Sequence, residues 1–189
     1  EAIDCFKSAL ELAPGNLKVL NAIGINQLEI GEEKNALGYF TQCIKIDKTN
    51  AILYNNAGLA AFRMNKFDES INYFNLCIKN APMVGYFYSN RGLSFQALKN
   101  LNLAMKDFNK CISLDPKYPE SYWNKSLLHL FQGNYKDGWE LYEYRWQSFA
   151  KEWVRDYPKK LWLGNESIEN KVIFIYPEQG HGDFIHCFR

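Results

Sequence analysis

An all-α fold of stacked helical hairpins is the class this sequence predicts, and three observations carry the prediction. Residue types recur every 34 positions, each unit holds two apolar patterns of helical period, and the recurring columns set large residues against small ones. Phe6, Phe40, Phe74, Phe108 and Tyr142 form a large column, and Ala2, Ala36, Ser70, Ala104 and Gly138 a small one. Gly24, Gly58, Gly92 and Ser126 form a second small column, which lets the two helices of a hairpin approach closely. Cys43, Cys77 and Cys111 form a third, at the place Ala9 holds in the first unit, so these thiols read as packing residues. Equivalent positions of neighbouring units lie about a helix pair apart, beyond the separation a disulfide can bridge.

Taken in order, "EAIDCFKSALELAP" is one helix, the second half of a hairpin whose first half lies upstream. Whole hairpins follow, as in "AILYNNAGLAAFRMNK" and then "FDESINYFNLCIKNAP", with Pro14, Pro82 and Pro116 marking helix ends and Lys48 the exception. The last hairpin, "SYWNKSLLHLFQGNYKDGWELYEYRW", keeps the phase but puts Arg145 in the cysteine column. It also carries Trp139, Tyr142, Tyr144 and Trp146, which with Trp153 and Trp162 are expected to dock whatever comes next. Pro158 and Gly164 then break the helical period, so residues 149–170 read as an irregular junction after a repeat array spanning 1–148. "KVIFIY" is a short β-branched run expected to be a strand buried on both faces. Gly180 and Gly182 suit the loop after it, and Asp183 suits the cap of a helix "FIHCFR". Residues 171–189 are thus expected to open an α/β domain.

The bulk numbers narrow the function. With 22 Lys and Arg against 21 Asp and Glu in 189 residues, the net charge of +1 offers no field to gather nucleic acid or anionic lipid. No apolar run reaches the roughly 20 residues of a membrane span. The 5 cysteines are odd in number and form no C-x-x-C pair, which disfavours a zinc site and a disulfide framework and makes a reducing cytoplasm the expected compartment. In the final loop the third glycine of a dinucleotide fingerprint would fall at Ile185, and no phosphate-loop lysine follows. Asp183 at a helix N-terminus would repel a phosphate there.

The period and its columns resemble the tetratricopeptide repeat over residues 1 to about 148. That resemblance implies a right-handed superhelix whose first helices line a concave groove that binds a protein or peptide. One groove column reads Ala22, Asn56, Asn90 and Asn124, and its carboxamides match the N–H and C=O of a peptide backbone. It is similar to the asparagine ladder of the nucleocytoplasmic O-linked N-acetylglucosamine transferases. Further groove candidates are Asn55, Phe62, Arg63, Tyr86, Gln96, Trp123 and Phe131, with Arg63 the charged one. A lysine-rich clamp for C-terminal carboxylates is missing from that set.

The junction resembles that of bacterial repeat proteins carrying a heptosyltransferase-like glycosyltransferase domain. The order is Gly138, Trp139, Tyr142, Glu143, Arg145, Trp146, Pro158, Trp162, Gly164 and Lys171, then Glu178 to Asp183. It departs from the family at "KKLWLG" and at His181. The resemblance implies an incomplete GT-B, Rossmann-like domain, a nucleotide sugar as co-substrate, and Asp183 as candidate base toward an acceptor hydroxyl. Glu178 would be a second, weaker cleft carboxylate, with Gly180, His181 and Gly182 as the substrate loop. The sequence as it stands would be inactive, holding no cofactor and no metal. The competing expectation, from a different class, is a non-enzymatic adaptor that uses the groove to assemble other proteins.

Overall fold

A computed structural model describes residues 15–148, 162 and 166–172 of the chain. Eight α-helices lie among the described residues: α1 Leu17–Glu29, α2 Glu33–Ile46, α3 Ala51–Arg63, α4 Phe67–Asn80, α5 Gly85–Ala97, α6 Leu101–Leu114, α7 Pro119–Phe131 and α8 Tyr135–Tyr142, followed by a 3₁₀ turn at Glu143–Trp146. They pair as four hairpins, each stacked on the next. The 34-residue frame of the sequence survives intact through them.

The large and small columns meet in the way their sizes require. Phe40, Phe74 and Phe108 are fully buried. Each ring lies so close to its glycine that a Cβ on Gly24, Gly58 or Gly92 would stand 2.6, 2.7 or 2.6 Å from an aromatic carbon. Only hydrogen fits there. Ser70, the one hydroxyl of the neighbouring small column, donates to the Gly58 carbonyl at 2.9 Å and lies 3.0 Å from the Ser94 hydroxyl, so its burial leaves no orphan group. Cys43, Cys77 and Cys111 are free, buried thiols, as the packing reading requires. Burial pushes the Cys77 thiol up to about 12.

Two kinds of turn set the repeat. Between the helices of every hairpin one residue takes the left-handed conformation, with φ of 82° at Gly31, 60° at Asn65, 60° at Lys99 and 78° at Gly133. Around it the amide three beyond the helix bonds back five residues, as in Glu32 N to Gln27 O at 2.8 Å and Asn100 N to Phe95 O at 2.8 Å. These are Schellman closures. Between hairpins, the Tyr54, Tyr88 and Tyr122 hydroxyls each donate to the carbonyl six residues earlier, on Lys48, Pro82 and Pro116, at 3.1, 3.0 and 3.2 Å. A backbone carbonyl is the acceptor, so Lys48 serves as well as proline.

The helix over residues 1–14, with Ala2, Cys5, Phe6, Ala9 and Pro14, lies outside the described residues. At the other end, the strand expected from residue 171 is not found where it can be checked. Lys171 and Val172 are exposed and not in a strand, because Lys171 N closes a turn onto Ile168 O at 3.0 Å. The rest of "KVIFIY" and the helix after it lie outside the described residues, among which no strand occurs. Trp162 and residues 166–170 of the junction are irregular and exposed, with Trp162 Nε1 donating to Glu166 O at 2.9 Å.

Candidate functional site

The first helices of successive hairpins touch: α1 meets α3, α3 meets α5, and α5 meets α7. The second helices, α2, α4, α6 and α8, do not touch one another. A stack in which only one helix of each pair meets its counterpart curves toward that helix, so α1, α3, α5 and α7 form the inner wall. The groove expected from the sequence is on this side.

Helical geometry sorts the inner wall into a ridge and seams. With about 3.6 residues per turn, residues seven apart share a line along each helix. The central line carries Lys18 on α1, Ile52 and Leu59 on α3, Tyr86 and Leu93 on α5, and Glu120 and Leu127 on α7, with Phe131 one turn beyond. Ile25 continues it on α1 and is 40% exposed; Ile52 is 52% and Phe131 75% exposed. Leu59, Leu93 and Leu127 are half-buried.

The asparagines fill the seams. Asn90 Nδ2 donates to Asn55 Oδ1 at 2.8 Å, Asn55 Nδ2 to Asn56 Oδ1 at 3.4 Å, and Asn56 Nδ2 to Asn21 Oδ1 at 3.1 Å. Four carboxamides thus run as one chain across α5, α3 and α1. Each donor spends one of its two N–H bonds this way, leaving the other and spare acceptor lone pairs. Asn56 and Asn90 are half-buried, whereas Asn55 and Asn124 are 5% and 4% exposed. In the third seam Ser89 occupies the column of Asn21 and Asn55, so the carboxamide pairing ends before Asn124.

The other candidates divide as well. Arg63 is exposed and spends one of its five N–H donors, on Nη1, on the Leu28 carbonyl at 2.6 Å in the last turn of α1. The negative end of that helix holds it. Tyr86 is half-buried with its ring edge-on to Phe87 at 4.4 Å, and burial raises its hydroxyl pKa. Phe62 packs against Phe67 with centroids 5.5 Å apart, and Trp123 is half-buried. Gln96 is half-buried, and its buried Oε1 has no hydrogen-bond partner among the described residues. Glu178, Gly180, His181, Gly182 and Asp183 lie outside the described residues, as do His186 and Trp153. Among the described residues no cluster of three metal-ligating side chains occurs, and no helix is long and apolar enough to cross a membrane.

The aromatics of the last hairpin do not all face outward as expected. Tyr144 stacks on Tyr122 with centroids 4.2 Å apart and planes at 8°. Trp146 Nε1 donates to Glu143 Oε2 at 3.1 Å, while Glu143 Oε1 pairs with Arg145 at 2.7 Å. The Arg145 guanidinium lies over the Tyr142 and Trp146 rings at 4.7 and 4.4 Å. Tyr142, Glu143, Arg145 and Trp146 therefore satisfy one another within the array, and Trp139, at 59%, is the exposed member.

What the sequence reading missed is the aliphatic ridge. Ile25, Leu59, Leu93 and Leu127 recur at the repeat interval, the signal that exposed the other columns, but aliphatics on a helix read by default as core.

The fold and its wall define a class, a helical-repeat protein with a continuous inner face. Two of the repeat units, residues 51–82 and 85–118, match models of the tetratricopeptide repeat. No curated protein matches the sequence. Among solved structures, a crystal structure of MamA is 21% identical over 79% of this chain and 88% of its own, with a TM-score of 0.67. A tetratricopeptide repeat protein from Parabacteroides merdae is 21% identical over 80% of this chain and 60% of its own, with a TM-score of 0.67. The first such domain of Spaghetti (RPAP3), solved with the HSP90 peptide SRMEEVD, is 26% identical over 62% of this chain and 93% of its own, with a TM-score of 0.59.

Proposed function

We propose that the chain is a protein-interaction scaffold that binds an extended peptide segment along its inner wall. The observation that carries this reading is the unbroken contact of α1, α3, α5 and α7, which lines up spare amide groups and exposed ridge side chains on one concave surface. The peptide seated in the Spaghetti (RPAP3) domain shows that this repeat architecture accepts such ligands in that protein. The test is selection of a displayed random peptide library on the whole chain, followed by reselection on Ile52→Lys, which puts a charge on a ridge residue already 52% exposed. Enrichment on the parent chain that disappears on the variant supports the groove. Enrichment indifferent to Ile52 moves the binding elsewhere.

A second reading attaches the array to a heptosyltransferase-like glycosyltransferase domain, with a nucleotide sugar as co-substrate and Asp183 as base. It rests on the junction motif, and one observation favours treating that motif as a unit: Tyr142, Glu143, Arg145 and Trp146 bond to one another at the point where the repeats end. Its test is Asp183→Asn in a protein that includes the remainder of such a domain. Loss of sugar transfer by orders of magnitude supports a base; normal turnover leaves Asp183 a helix cap. The adaptor reading needs no such domain.

A further inference from the structure

We infer that the segment the groove selects is uncharged and rich in aliphatic side chains, and is not an acidic tail held by its carboxylate. This rests on the proposal that the inner wall binds peptide. It adds the ligand's chemistry.

Three observations converge on that chemistry. On the middle helices α3 and α5 the wall's central line is Ile52, Leu59, Tyr86 and Leu93, none of which carries charge. Charge on the wall columns is sparse and balanced, with Lys18 and Glu120 at opposite ends of the described array and Glu29 and Arg63 between them. Arg63, the cation nearest the middle, gives one N–H to the Leu28 carbonyl at 2.6 Å, and the wall columns place no second cation beside it to complete a carboxylate clamp. A carboxylate laid over Ile52, Leu59, Tyr86 and Leu93 would lose water and meet no charge among them, which is unfavourable for any buried charge. An aliphatic side chain there gains the ordinary burial term, worth about tenfold or more in affinity per well-covered residue.

The seams explain why the backbone of such a segment is tolerated. A peptide crossing the ridge brings its own N–H and C=O groups, and these need partners once water is excluded. Asn56 and Asn90 each keep one N–H and spare lone pairs after bonding Asn21 and Asn55, and both remain half-buried, open to one side. Neutral amides serve the backbone, and neutral aliphatics serve the side chains.

The experiment uses two synthetic libraries of random dodecapeptides, captured on the immobilised whole chain and sequenced by mass spectrometry, one amidated at the C-terminus and one with a free carboxylate. SRMEEVD serves as an acidic reference probe. The expected pool is enriched in Leu, Ile, Val and Phe, depleted in Asp and Glu, equally recovered with and without a free terminus, and changed by less than about twofold between 0.05 and 0.5 M salt. SRMEEVD should bind at least about tenfold more weakly than the leading selected peptide. Leu93→Glu should abolish recovery; because Leu93 also packs toward Phe108 and Leu128, Ile25→Glu, on a residue 40% exposed, gives the same readout without touching the core. An acidic consensus, a demand for the free carboxylate, or recovery that collapses with salt overturns the ligand class while leaving a peptide groove in place. A library that enriches nothing overturns the groove itself.

Discussion

Gly58→Ala puts the helix-contact argument to a test in which two known effects have opposite signs. Alanine is the better helix former by about 0.8–1.0 kcal/mol, so propensity alone predicts stabilisation. The new methyl, however, would stand 2.7, 2.9 and 2.9 Å from three carbons of the Phe74 ring, which has no room to swing because it is fully buried. Overpacking of this kind costs about 1–3 kcal/mol, and three simultaneous ring contacts place it in the upper part of that range. The net expectation is a loss of about 1–2 kcal/mol. Gly38, inside α2, is the internal control: nothing lies within 4 Å of where its Cβ would sit, so Gly38→Ala should gain about 0.8–1.0 kcal/mol. Both are measured by urea unfolding followed by circular dichroism. Adding Phe74→Leu to Gly58→Ala should recover part of the loss, seen as a positive coupling in a double-mutant cycle. If Gly58→Ala and Gly38→Ala stabilise equally, glycine is not there to admit the ring, and the account of the recurring large and small columns is wrong.

The remaining predictions use the same unfolding assay or simple chemistry. Lys99→Gly should stabilise by about 1 kcal/mol, because Lys99 sits at φ 60° in the column that elsewhere holds Gly31 and Gly133; no gain would mean that its side chain makes compensating contacts. Arg91 donates twice to Asp107 at 2.7 Å and once to Asn75 at 2.7 Å, joining α5 to α6 and α4. Arg91→Met should therefore cost about 3–5 kcal/mol by leaving the buried Asp107 carboxylate alone, and a loss under about 1 kcal/mol would show that water reaches it. Because burial holds the Cys77 thiol up at about 12, above its ordinary value of 9.0, it stays protonated in the fold at pH values where the unfolded chain ionises. Its contribution is thus complete below about pH 9 and should be lost as pH rises toward about 12, a slope that Cys77→Ala should flatten. Alanine at both Asn56 and Asn90 should lower stability by about 1 kcal/mol per lost seam bond as well as weakening peptide binding.

The sequence made the hairpins legible because packing against a neighbour identical in frame forces size to repeat. Phe74 must be large where Gly58 is absent of side chain, and that complementarity needs no knowledge of the partner strand of chain. The left-handed column was harder to read, since Lys99 and Asn65 occupy it beside Gly31 and Gly133, and a Schellman closure stabilises residues that composition alone would not choose. The candidate site was legible in position but not in detail. Asn56 and Asn90 were identified by column, yet whether a carboxamide points into a groove or across a seam depends on its neighbour on the next first helix, Asn21 or Asn55, a pairing at a separation of 35 residues rather than 34. A strict column comparison passes over it.

The last described hairpin departs from the others at one position of a packing column. Through three hairpins the column after the aromatic holds a thiol small enough to vanish, with Cys43, Cys77 and Cys111 at 0% exposure. Arg145 takes the fourth place, and a guanidinium cannot be buried there without acceptors for its donors. Helix α8 accordingly stops after 8 residues where α2, α4 and α6 run for 14, and the chain tightens into the 3₁₀ turn. The turn brings the Tyr142 carbonyl to 3.2 Å and Glu143 Oε1 to 2.7 Å from Arg145 Nη1, with two aromatic faces flanking the cation. The arginine is 7% exposed and fully provided for, at the expense of the helical register that another repeat would need. One substitution in a packing column thus both shortens the second helix of the last described hairpin and builds the cluster that resembles a family junction, which is why Arg145→Cys should lengthen α8 rather than merely unpair Glu143.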